Sequence, residues 1–367
     1  MKFIICGGGT GGHVTPAIAI YEALKENCDN TEFLFVGRDN GAENRAYRAT
    51  GERLITLSVS GISRTNIRKA AMGVVSAFKA KSVARNLIKV ERPSVIIGTG
   101  GYVAWPMLIA GSRMGIPTVI HESNALPGLT TRMVSRHVDC VLLNYAEAAT
   151  KLTRRDNIRV VGNPLRKEFQ KIDKRLARRR MGIRDNDVMI LSFGGSLGAQ
   201  KLNETILELM RCYSSKKSNI KHLHATGAAN YDEIKKNVLA DLNDKNGCKI
   251  MPYIDNMATA MSAADIVISR CGAMTLSEIC AVGVAAILIP SPNVADNHQL
   301  KNAQHLENLG AAITIEEGSL SVRSLMDKVR ELADAIDRRN ALATKAAEVG
   351  KNDATKLITR EILSLLK

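Results

Sequence analysis

Aromatic residues are scarce in this 367-residue chain: six Phe, seven Tyr and one Trp, 4% of the total. They are scattered rather than interleaved with basic residues. A nucleic-acid surface stacks bases on aromatic side chains, so the net charge of +15 points to anionic partners other than nucleic acid: phosphorylated substrates or an anionic membrane surface. Long hydrophobic runs are missing too. None approaches the roughly 18 residues needed to cross a bilayer, and "MKFIICGGG" is too short for a signal peptide, so a soluble, cytoplasmic protein is expected. No C-x-x-C occurs. The cysteines, Cys6, Cys28, Cys140, Cys212, Cys248, Cys271 and Cys280, are odd in number and widely spaced, which excludes a disulfide framework and a zinc site and leaves reduced, mostly buried thiols.

Length and a 45% apolar content allow two ordinary cores. The first half alternates helix-length segments with the short apolar runs "KFIIC", "EFLFVG", "LITLSV", "SVIIGTG", "PTVIHE", "VDCVLLN" and "IRVVGN". Continuous apolar strands separated by helices indicate a parallel sheet covered on both faces. The second half repeats the scheme with "VMILSFGG", "IKHLHATG", "CKIMPYI", "DIVISR", "AAILIPS" and "AITIEEG". The expected fold class is therefore α/β, two doubly wound Rossmann-like parallel-sheet domains facing across a cleft. Their expected bounds are 1–164 and 165–349, divided near "VVGNPLR", with a last helix at about 350–367 packing back on the first domain.

"CGGGTGGHVTP" (6–16) follows the first strand, and Gly7, Gly9 and Gly12 have the G-x-G-x-x-G spacing of a dinucleotide site. A dehydrogenase also needs an acid at the end of the second strand. Here "EFLFVGRDN" offers only Asp39, behind Arg38. Thr15 as N-cap and Pro16 at the first helical position predict a helix from about residue 16, with His13 in the loop before it. "GTGGYVAWP" (98–106) and "HESNALPG" (121–128) end the fourth and fifth strands, where such sheets place ligands. In "SRCGAMTLSEICA" (269–281), Thr275 and Glu278 read either as a capping box or as part of an anion site at a helix start. "NVADNHQLKNA" (293–303) sets His298, Gln299 and Asn302 within one helical turn, suited to sugar hydroxyls. The one Asp-x-Asp, "DND" at 185–187, precedes a strand and reads as a solvated loop.

Taken in order across nearly the whole chain, "GGGTGGHVTPA", "GTGGY", "HESNALPG", "GNPLR", "GGSLGAQKLN", "SRCGAMTLSE" and "DNHQLKNA" resemble the MurG family of bacterial glycosyltransferases. The resemblance implies a GT-B fold and transfer of N-acetylglucosamine (GlcNAc) from UDP-GlcNAc to undecaprenyl-diphosphate-linked N-acetylmuramyl-pentapeptide, lipid I to lipid II, at the cytoplasmic face of the cell membrane. It implies no cofactor and no metal. Its partners would be the two substrates, the anionic inner-membrane surface and other cell-wall synthesis proteins. Thr10, Gly11, Gly12 and His13 would lie near the acceptor diphosphate and the reacting sugars, with Thr10, Gly11, Gly12 and Asn124 among the substrate contacts. Arg166 and Ser196 would sit near the donor's diphosphate or sugar. Ile254 would contact the uracil through its backbone, Glu278 would hold the ribose hydroxyls, and Gln299 and Asn302 would read the GlcNAc. Two departures stand out: Ser123 replaces the family's usual Gln, and His298-Gln299 replaces a Gln pair.

Turning an α-linked UDP-sugar into a β-linked product inverts the anomeric centre, so one in-line displacement with one general base is implied. His13 is the first candidate for that base, since imidazole titrates near neutrality; Glu122 is the second. A UDP-sugar epimerase of the same architecture is the alternative enzyme, and a non-catalytic phosphate-binding module the alternative outside enzymes. Residues 64–89 carry seven basic residues and no acidic one, with Ile67, Ala71, Val74, Val75 and Phe78 at helical spacing. They are expected to form a peripheral membrane face.

Overall fold

The computed structural model describes every residue except 42, 60–66, 170–171, 196–198, 215–218, 238–241, 243–246 and 367, and describes 67–78, 214, 237 and 295 by backbone alone. The chain divides into two compact units, Met1–Leu165 with Asn352–Lys367, and Arg166–Lys351.

The first unit is built on seven parallel strands, β1 (Lys2–Gly7), β2 (Glu32–Arg38), β3 (Arg53–Leu57), β4 (Val95–Gly100), β5 (Thr118–Glu122), β6 (Cys140–Leu143) and β7 (Ile158–Val160). Their order is β3-β2-β1-β4-β5-β6-β7, so the winding reverses between β1 and β4. The inner strands β1, β4, β5 and β6 are buried almost throughout because both faces are covered, whereas β3 and β7 at the edges expose Arg53, Arg159 and Val160. The period-2 alternation divides the inward side chains between two cores. Phe3 and Ile5 face the helices Gly11–Asn27 and Ala354–Ser364. Ile4 and Cys6 face the helices Ile67–Glu91 and Ala104–Arg113. The C-terminal helix is held in the first core by Ile358 and Ile362, both fully buried. Burial of each side chain is worth about 1.5–3 kcal/mol. Thr355 adds a hydroxyl acceptor for the Leu165 N–H at 3.0 Å.

The second unit has six parallel strands, β8 (Val188–Phe193), β9 (Ile220–Ala225), β10 (Cys248–Met251), β11 (Ile266–Ser269), β12 (Ala285–Leu288) and β13 (Ile313–Thr314), ordered β10-β9-β8-β11-β12-β13. The reversal falls between β8 and β11. All thirteen apolar runs of the sequence are strands. The helix Lys174–Arg180 is anchored by Arg178, buried, which donates to Asp265 at 2.7 Å and to the Asp187 carbonyl at 2.7 Å. The "DND" stretch is the expected loop at Asp185 and Asn186, both exposed, and departs from it only at its last residue. Asp187 is buried, its carboxylate accepting the Arg184 N–H at 2.9 Å, because the turn into β8 closes on it.

Among the described residues no helix is long and apolar enough to cross a membrane, and no cluster of His, Cys, Asp and Glu could hold a metal. The seven cysteines form no disulfide; five are buried, Cys28 is half-buried and Cys212 exposed.

Candidate active site

In each unit the polar segments gather at the carboxyl ends of the strands beside the winding reversal, where doubly wound sheets bind ligands. In the first unit the helix after β1 begins at Gly11, with Thr10 in extended conformation as its N-cap. The expected start at residue 16 is thus five residues late. The Thr10 carbonyl already accepts from His13 N at 3.0 Å and Val14 N at 3.3 Å, and Pro16 lies inside the helix, where it has no N–H to donate to the preceding turn. His13 consequently sits in the first helical turn instead of in a loop, which fixes its direction.

That direction is set further by three contacts. The His13 Nδ1 lies 2.9 Å from the Gly8 carbonyl. A carbonyl can only accept, so Nδ1 carries the hydrogen, and in the neutral ring Nε2 keeps its lone pair. The Thr10 hydroxyl stands 3.4 Å from the same Nδ1. The His13 carbonyl accepts the Thr99 hydroxyl at 2.7 Å, which a register shift makes possible: Cys6 pairs with Gly98 but Gly7 with Gly100, so Thr99 is an extra residue in β4. Bulges re-aim side chains in this way. Gly100, at φ +109°, lies against the imidazole, where a Cβ would come within 2.7 Å of Nε2. Gly101, at φ +79°, packs on the Gly8 backbone.

Glu122, the other candidate base, is buried and committed elsewhere. Its Oε1 accepts the Asn124 N–H and the Asn124 side-chain amide, both at 3.0 Å. Its Oε2 accepts the Gly128 N–H at 2.8 Å and the Thr131 hydroxyl at 2.7 Å. Four donors occupy the carboxylate, so it organises the loop that carries Asn124. Thr130 ties that loop to the Gly101 carbonyl at 3.1 Å. Ser123 is buried, and its carbonyl accepts from Asn144 at 3.1 Å. Asp39, the residue a dehydrogenase would use, accepts the Ser58 hydroxyl.

In the second unit Glu278 lies in the helix Ala273–Val282, whose N-cap is Gly272 with no side-chain cap bond. The capping box is therefore not formed: Thr275 and Glu278 both lie within the helix, past the cap. Glu278 is instead buried against Arg166, Oε1 to Nη2 at 3.3 Å. Burial pushes its carboxyl up to about 7, although Arg166 pulls the other way. Arg166 also pairs with Glu168 at 2.5 Å and stands over the Phe169 ring at 5.0 Å. Its Nε is buried and without a hydrogen-bond partner.

Gln299, in the helix His298–Asn308, accepts the Cys271 N–H at 3.2 Å and the Ser291 N–H at 2.9 Å through one oxygen. Its amide nitrogen keeps its donors. Asn302 is fully buried and donates to the Cys271 carbonyl at 3.3 Å, so it braces the loop after β11. Ile254 follows β10 with its side chain in the core. Ser196 lies outside the described residues. In the first unit Thr10 stands beside His13, and in the second Arg166 pairs with Glu278 while Gln299 and Asn302 both bond the Cys271 backbone.

Sequence models of glycosyltransferase family 28 match the chain in both halves, the N-terminal domain over residues 3–143 and the C-terminal domain over 189–358. A transferase of Thermoanaerobacter sp. (strain X514) is 39% identical over 366 residues, covering 100% of both chains. The crystal structure of MurG from Acinetobacter baumannii superposes with a TM-score of 0.78 at 26% identity, covering 99% of each chain. It agrees with the expected GT-B class of two Rossmann-like domains. A putative UDP-GlcNAc 2-epimerase from Listeria monocytogenes shares the fold, with a TM-score of 0.69, 14% identity and coverage of 99% of this chain and 96% of its own. The end-to-end identity with the Thermoanaerobacter protein settles the family: this chain belongs to the UDP-N-acetylglucosamine--N-acetylmuramyl-(pentapeptide) pyrophosphoryl-undecaprenol N-acetylglucosamine transferases.

Proposed function

We propose that this chain transfers GlcNAc from UDP-GlcNAc to undecaprenyl-diphosphate-linked N-acetylmuramyl-pentapeptide, with inversion. The observation that carries the reading is full-length identity of 39% with a transferase of that name, against 14% with the epimerase fold. The experiment supplies UDP-GlcNAc with and without the lipid-linked acceptor. Release of UDP and labelled product should need both substrates. Conversion of the donor alone would make the enzyme an epimerase.

The first unit is assigned the acceptor and the base. The Nε2 of His13 takes the proton of the acceptor hydroxyl while its oxygen bonds to the anomeric carbon and the bond to UDP breaks. The Gly8 carbonyl stabilises the resulting imidazolium by keeping its bond to Nδ1–H. Thr10, Gly11 and Gly12 give the diphosphate or sugars an approach free of bulky side chains, and Asn124 lies on the neighbouring loop. The second unit is assigned the donor. Glu278 accepts the ribose hydroxyls, the Ile254 backbone meets the uracil, and the Gln299 amide donates to the GlcNAc. Charge growing on the departing UDP is met by Arg166, whose Nε–H is unpartnered, and by the positive end of the helix Ala273–Val282.

The membrane role belongs to the helix Ile67–Glu91. In its described half Ala80, Ala84 and Ile88 are buried in the core, while Lys79, Arg85 and Lys89 are exposed beside Val83 and Val90. The apolar stripe from Ile67 to Phe78 lies on side chains outside the described residues. Cations flanking exposed valines suit an anionic leaflet, each Lys or Arg there contributing about 1 kcal/mol. Replacing Lys79, Lys81 and Arg85 by Glu should release the protein from vesicles containing anionic lipid, and raised salt should weaken wild-type binding. Sedimentation with vesicles checks this. Binding indifferent to both changes would remove the assignment.

A further inference from the structure

The helix Glu43–Ala49 aims two buried side chains at the loop after β1. Glu43 and Tyr47 are one turn apart and so share a face. Glu43 is 2% exposed. Its Oε2 accepts the Gly9 N–H at 3.2 Å, and its Oε1 accepts the Arg38 N–H at 3.0 Å. One carboxylate thereby joins the ends of β1 and β2. It also packs so tightly on Gly8 and Gly41 that a Cβ at either position would collide with it. Tyr47, fully buried, donates to the Gly7 carbonyl at 2.7 Å.

Burying a carboxylate is costly unless hydrogen bonds compensate it, and an apolar residue could fill the same space. What an apolar residue could not do is hold Gly9 N–H. The Gly7–Gly9 segment therefore has a polar anchor at each end, and the Gly8 carbonyl between them receives the His13 Nδ1 hydrogen. We propose that Glu43, through Gly8 and Gly9, is the positioning residue that keeps His13 in its base-competent tautomer and direction. This rests on the reading of His13 as the base. Glu43 touches no substrate in this scheme; it acts by holding the peptide that orients the imidazole.

The test compares kcat, donor KM, Tm and the pH profile for Glu43→Gln, Glu43→Ala, His13→Ala and the double variant His13→Ala/Glu43→Gln. A small misplacement of a catalytic group can cost about 10²-fold in rate, so Glu43→Ala should lower kcat on that order with donor KM unchanged. Glu43→Gln, which keeps the shape and one acceptor, should lower it less and shift the acid limb of the profile. If Glu43→Ala fails to fold, Glu43→Gln carries the measurement. In the His13→Ala background Glu43→Gln should have no further effect on kcat, since coupled residues are non-additive. Equal losses in both backgrounds, or a lower Tm with kcat and pH profile unmoved, would overturn the inference. Wild-type kcat for His13→Ala would instead overturn the base assignment, and this proposal with it.

Discussion

Replacing His13 by alanine should lower kcat by about 10²- to 10⁴-fold, the usual contribution of a positioned general base, while the affinity for UDP-GlcNAc stays close to wild type. The split follows from where the residue lies. His13 belongs to the first unit, whereas the residues assigned to the nucleotide, Arg166, Ile254 and Glu278, belong to the second. The structure also favours His13 over Glu122 on the lone pairs available. His13 has one nitrogen held by Gly8 and the other uncommitted, while Glu122 accepts four hydrogen bonds from its own loop. Steady-state kinetics at saturating donor, with donor binding measured separately by calorimetry, check the claim. Collapsed donor affinity with normal turnover would move His13 out of the base's role.

The strands were legible because a parallel sheet buried on both faces forces short continuous apolar runs, here bounded by glycine, proline and polar residues. The polar segments at their ends were legible for a related reason: glycines and small polar residues directly after a buried strand have few other uses. Element ends were less so. Thr15-Pro16 has the composition of a helix start, but Thr10 already supplies one, and the backbone bonds that decide between them leave no trace in residue type. The bulge at Thr99 is equally silent, being a matter of register between β1 and β4.

Glu43 escaped for a different reason. "GAENRAYRA" reads as an ordinary exposed helix. Only the four-residue spacing of Glu43 and Tyr47 hinted at a shared face, and only tertiary packing shows that face to be buried. Gln299 and Asn302 were found as a polar cluster, yet both turn a polar atom toward the Cys271 backbone. A sequence shows that amides lie close together; which of them faces inward depends on the helix's rotation against its neighbours. The buried His222 and His224, bridged by the Ser192 hydroxyl at 2.7 and 2.8 Å, were not singled out, although their alternation in "IKHLHATG" puts both on one face of β9.

Glu278 offers the second large effect, and one that depends on pH. Its carboxyl is buried and pushed up to about 7 from 4.5, so near neutrality it is divided between an acceptor-only carboxylate and an acid that has lost acceptor capacity. Ribose hydroxyls are donors to the carboxylate. The apparent KM for UDP-GlcNAc should therefore rise as pH falls through about 7, with the loss complete well below that value. Hydrogen bonds to a charged group are worth about 1.5–3 kcal/mol. Glu278→Ala should accordingly raise the donor KM by about ten- to a hundredfold at pH 8 and flatten its pH dependence. Stability has the opposite sign. Because the folded-state value is raised, the stabilising contribution of this group is fully present below 4.5 and is lost as pH rises through about 7. Glu278→Gln, which cannot ionise, should therefore keep or gain thermal stability at pH 8 while losing donor affinity. Thermal melts and donor titrations of that variant at pH 6 and pH 8 separate the two roles. A variant that melts lower and binds UDP-GlcNAc normally would mean that Glu278 serves the fold alone.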